Sequence, residues 1–72
     1  MREKIIAIIE NILKLSDGTL DEETKIEEVA GWDSLAHVLI IGEIESSLGI
    51  SISLDEAIEI ASVGELFEKA GV

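Results

Sequence analysis

The stretch GWDSLAHVLIIGEIESSLG, residues 31–49, decides the fold. Asp33 can cap a helix, no proline follows it, and Gly49 supplies a left-handed stop, so a helix is expected from about Ser34 to Leu48. Successive side chains step by about 100°, and on that wheel the helix is apolar on two sides. Ile40, Ile41, Ile44 and Leu48 gather on one side, with His37 among them, while Leu35, Val38, Leu39 and Gly42 gather on the other. A helix in a small bundle seldom has neighbours on both sides. The second stripe is therefore expected to meet solvent and to look like a protein-docking surface, unless the helix is central and buried all round. Gly42 costs about 1 kcal/mol relative to alanine inside a helix, which implies that something approaches its backbone closely. Ser34 stands in the first turn, where unpaired N–H groups and the helix dipole favour an attached anion.

Outward from this helix, the apolar spacing stays helical. Ile5, Ile9 and Ile12 recur with helical period between Glu3 and Leu15, and Ile6, Ile8 and Leu13 widen the stripe. Glu10 and Lys14 are expected to pair on the opposite side, with Ser16-Asp17-Gly18-Thr19 ending the helix as a turn. Residues 17–32 form a long acidic loop. Leu20, Ile26, Val29 and Trp32 punctuate it and predict a loop pinned across the helices. Ser53-Leu54-Asp55-Glu56 is a capping box for a short helix reaching about Ile60. Ser62-Val63-Gly64-Glu65 is another, opening a last helix that stops near Gly71. Ile50-Ser51-Ile52-Ser53 alternates like a strand but has no partner strand, so it reads as an extended connector. The expectation is an all-α bundle, three main helices plus one short one, in a single domain over residues 1–72.

Composition narrows the function. Sixteen acidic residues against 5 basic ones give a net charge of −11, which repels phosphate backbones and anionic lipid and makes nucleic acid and membrane poor partners. The same charge favours rapid, salt-sensitive docking onto basic patches of other proteins. Cysteine is absent, so neither disulfides nor a cysteine-ligated zinc site can staple the fold. Met1-Arg2-Glu3-Lys4-Ile5-Ile6 lacks the uninterrupted apolar run of a leader, and no run approaches the roughly 18 residues of a membrane span. A cytoplasmic monomer is expected.

Asp33-Ser34-Leu35, then Leu48-Gly49-Ile50-Ser51-Ile52, then Asp55-Glu56-Ala57, then Ser62-Val63-Gly64-Glu65-Leu66 resembles an acyl carrier protein in order and spacing, over nearly the whole chain. The resemblance implies a four-helix bundle with a long first loop. It also implies that Ser34 carries 4′-phosphopantetheine, transferred from coenzyme A by a separate magnesium-dependent phosphopantetheinyl transferase. The arm's thiol would hold an acyl or aminoacyl group as a thioester for enzymes of fatty acid, polyketide or related biosynthesis. By the same resemblance the helix after Ser34 is the recognition surface, with Asp33, Leu35, Val38, Leu39, Gly42 and Glu45 as its contact residues. The chain departs from the fatty-acid-synthesis pattern in carrying Ala36 and Leu39 where that pattern has acids, and Ser53 in place of a proline. Trp32 is more typical of stand-alone specialised carriers or peptide-synthesis modules. Partners are expected to dock through apolar as well as basic patches, and the cargo (fatty acyl, polyketide, amino acid or D-alanyl) is open.

Rival readings are weaker. Ser34 with His37 as its base would make an enzyme, but the helix turns His37 toward the Ile41/Ile44 side and no oxyanion hole is evident. A contact between His37 and the arm's phosphate is a lesser option. Asp17, Thr19, Asp21 and Glu28 fall at calcium-loop positions, yet the glycine such a loop needs is Glu22 and its apolar eighth position is Thr24, so no metal is expected. A non-catalytic acidic helical adapter, binding partners without any prosthetic group, shares the stripe and the charge and makes no use of Ser34. Trp32 serves either as a reporter of loading or as a core anchor.

Overall fold

The computed structural model describes residues 2–72; Met1, which opens the stretch read above for a leader, lies outside them. Among the described residues four helices follow one another: α1 (Arg2–Leu13), α2 (Ser34–Leu48), α3 (Leu54–Glu59) and α4 (Val63–Ala70), with a 3-10 turn at Ile26–Glu28 in the long loop. The fold is the expected all-α bundle, and residues 50–53 lie outside any helix or strand, a connector as read from their pattern, with Ser53 extended.

Three helices begin where their caps stand. Asp33 accepts from the Ala36 N–H, Ser53 from the Glu56 N–H and Ser62 from the Glu65 N–H. Each satisfies one of the donors a helix start leaves open. Gly49 and Gly71 end α2 and α4 with φ of 67° and 77°.

α1 ends differently from expectation. It stops at Leu13 because Lys14, a non-glycine residue, takes the left-handed conformation at φ 58°, and the Leu15 N–H reaches back to the Glu10 carbonyl at 2.8 Å. That bond closes a Schellman-type cap without a glycine to advertise it. Glu10 is not on the exposed side either. It is buried, and its carboxylate accepts the Gly18 N–H at 3.1 Å instead of pairing with Lys14.

The core joins Ile5 and Ile9 of α1, Ile40 and Ile44 of α2, and Val63 and Leu66 of α4, all fully buried. Leu20 and Trp32 close it from the loop, which is pinned across the helices as its anchors predicted. The loop is also laced to the start of α4. Ile26 N–H donates to the Ala61 carbonyl at 2.9 Å, Val63 N–H to Thr24 at 3.0 Å and Gly64 N–H to Glu22 at 2.9 Å. This close approach requires glycine at 64, since a Cβ there would lie 2.9 Å from the Glu22 carbonyl oxygen. Arg2 cinches the same corner, its guanidinium 5.1 Å over the Phe67 ring and 3.2 Å from the Glu22 carboxylate.

Candidate functional site

Ser34 is the first residue of α2 and is exposed. Asp33 does the capping, at 2.9 Å from the Ala36 N–H, so the serine hydroxyl is left without a hydrogen-bond partner among the described residues. The N–H groups of Ser34 and Leu35 are likewise unpartnered there. A free hydroxyl beside two free amides at a helix start is open to an external reagent and has donors able to receive an anion.

A groove of about 690 Å³ runs from Ser34 between α2 and α3. Ser34, Val38, Ile41, Gly42 and Glu45 recur at helical spacing and form its α2 wall; Ala57 and Ile58 belong to the α3 side. The floor and sides are mainly apolar. Glu45 is half-buried, and one of its carboxylate oxygens accepts the Ile52 N–H at 2.8 Å, tying the connector to α2.

His37 is neither base nor phosphate contact. The Trp32 indole N–H, which can only donate, meets its Nδ1 at 3.0 Å, so Nδ1 accepts and the ring's proton sits on Nε2. Nε2 then donates to the Ala57 carbonyl at 2.8 Å. With both ring nitrogens engaged, His37 is a structural relay that joins the loop, α2 and α3. Trp32 is 6% exposed and is a core anchor. No signal short of the folded chain places Trp32, His37 and Ala57 together, because the contacts span up to twenty residues.

The second stripe of α2 does meet solvent: Leu35 is 70% exposed, Val38 59% and Leu39 54%. It is not one strip, however. Val38 and Gly42 border the groove toward α3, where Leu54 and Ile58 are exposed too, while Leu39 lies with Lys4, Ile8 and Glu43 in a shallow groove toward α1. Gly42 is exposed, and a Cβ on it would meet no atom of this chain within 4 Å, so the close approach expected there comes from nothing inside the molecule.

The residues of the rejected calcium loop hold the loop instead. Asp21 accepts the Glu23 N–H at 2.9 Å and the Thr24 hydroxyl at 3.2 Å. Among the described residues no group of three or more candidate ligands gathers around a metal position, and no helix is long and apolar enough to cross a membrane.

No curated protein and no solved structure matches the chain with significance. A family model does match, described as phosphopantetheine attachment site, over residues 3–69. With nearly the whole length covered, the chain belongs to the phosphopantetheine attachment site family and is a carrier of covalently attached 4′-phosphopantetheine, not an enzyme.

Proposed function

We propose that Ser34 is the attachment point and that the chain carries acyl or aminoacyl intermediates of fatty acid, polyketide or related biosynthesis as thioesters. The observation that carries this reading is the unpartnered, exposed Ser34 hydroxyl at the head of the apolar groove. Attachment forms a bond from Ser34 Oγ to phosphorus and breaks the pyrophosphate bond of coenzyme A. It releases adenosine 3′,5′-bisphosphate and a proton. The two free amides of the first turn suit the phosphodiester that results, and Asp33, turned to Ala36, holds that turn in place. When bound, the arm supplies a flexible thiol on which cargo rides as a thioester. The groove walls, Val38, Ile41 and Ile58 among them, offer the cargo's apolar part a place out of water.

Family membership brings interaction with a phosphopantetheinyl transferase and with biosynthetic enzymes in general. Their docking surface on this chain is Leu35, Val38 and Leu39, with Asp33 beside them and Gly42 and Glu45 at the groove edge. Three exposed apolar side chains in a protein of net charge −11 favour partners that present apolar pockets rimmed by basic residues.

The test is intact mass after incubating the apo protein with coenzyme A, magnesium and a broad-specificity transferase. One phosphopantetheine is gained by the wild type and none by Ser34→Ala. An equal gain in Ser34→Ala, or no gain at all, overturns the assignment and leaves an adapter without a prosthetic group.

A further inference from the structure

Gly42 is a helix-interior glycine with no structural reason to be one. Its φ is not positive, so no left-handed conformation demands it. Its missing Cβ is not filled by a neighbour either, in contrast to Gly64, where the Glu22 carbonyl would lie 2.9 Å away. Alanine at 42 would stabilise the helix and touch nothing. A position that gives up stability without a packing gain serves something outside the chain. Gly42 lies about 12 Å along the helix axis from Ser34, on the same wall of the same groove.

We infer that Gly42 is the residue that selects cargo: its absent side chain leaves a notch in the α2 wall that admits a branched or ring-bearing apolar acyl group, where a straight chain would need none. This rests on Ser34 carrying the arm and on the groove receiving the acyl part. The occupant follows from the site. The groove is continuous with the tether, its walls are mostly aliphatic, and Ile58 faces the same space from α3. Asp33 and Glu45 border it and oppose a carboxylate on the cargo, so an uncharged acyl group is the class that fits.

The experiment loads apo wild type and Gly42→Leu with phenylacetyl- and hexanoyl-phosphopantetheine from the coenzyme A thioesters, and intact mass verifies loading. Two readouts compare acyl-loaded with unacylated holo protein: the amide chemical shifts of residues 38–45 and 57–60, and the melting temperature. In the wild type, phenylacetyl loading shifts the Gly42 and Ile58 amides and raises the melting temperature. Gly42→Leu folds, since no neighbour obstructs it, and loses both responses to phenylacetyl while keeping those to hexanoyl. The same phenylacetyl response in both proteins overturns the inference. So does a wild type whose groove amides ignore both cargoes, although its mass gain would leave the carrier reading standing. Gly42→Leu that alters only turnover by a partner enzyme, with unchanged loaded-state spectra, assigns the notch to the partner and overturns it too. Absence of any mass gain in the wild type removes the carrier reading itself, and the inference with it; a Gly42→Leu protein that alone fails to load assigns Gly42 to transferase docking and overturns the inference.

Discussion

Gly64→Ala is the sharpest test of how the long loop is held. Gly64 is the second residue of α4, and its N–H donates to the Glu22 carbonyl at 2.9 Å. A methyl carbon at this Cα would sit 2.9 Å from that same oxygen, about half an ångström inside ordinary contact. The obstacle is backbone, not the end of a flexible side chain. Residues 22–24 must therefore withdraw, and the Gly64 and Val63 bonds that lace the loop to α4 stretch as they do. Overpacking of this kind costs about 1–3 kcal/mol, and weakening a hydrogen bond adds about 1 kcal/mol. Alanine's better helix propensity returns at most about 1 kcal/mol. The net loss is about 2 kcal/mol. For a chain of 72 residues that lowers the melting temperature by about 8–16 °C. Thermal unfolding followed by far-UV circular dichroism reads it, with Gly42→Ala as the opposite-signed control. There the added methyl meets nothing, and the midpoint should rise by about 4–8 °C. A Gly64→Ala protein that melts at or above the wild-type temperature would refute the close approach and the lacing argued from it.

Asp33→Ala removes the α2 cap and should cost about 1 kcal/mol, seen as a lower urea midpoint with unchanged slope. Ser34→Ala should melt within about 0.5 kcal/mol of wild type, because its hydroxyl bonds nothing in the fold; a larger loss would give the serine a structural task. His37→Ala leaves the Trp32 indole N–H without a partner and leaves the Ala57 carbonyl only the Ile60 N–H, at 3.3 Å; it should cost about 2 kcal/mol, with a red-shifted Trp32 emission as α3 loosens. Leu39→Glu should leave stability unchanged, since the side chain is 54% exposed, and should slow turnover by a partner enzyme; unchanged turnover would remove Leu39 from the docking surface.

What the sequence settled by itself lies within a few residues of its own signal. Asp33 and Gly49 bound α2, Ser53 opens α3, and Ser62 and Gly71 bound α4, because a cap is made between a side chain and an N–H two or three residues on, or by a residue's own φ. The two-sided wheel of α2 likewise announced an exposed apolar stripe and put Ser34 at its head. Other features needed the chain folded. Lys14 ends α1 in a conformation its residue type disfavours, held by contacts around it, and Glu10 turns inward because Gly18 comes within reach. Gly64 reads as an ordinary member of a capping box until Glu22 is laid against it. His37 becomes a relay only when Trp32 and Ala57 arrive from opposite directions. The stripe divides, with Leu39 toward α1 and Val38 toward α3, because the neighbours of a helix are set by packing over tens of residues, and a wheel drawn from one helix contains no neighbours.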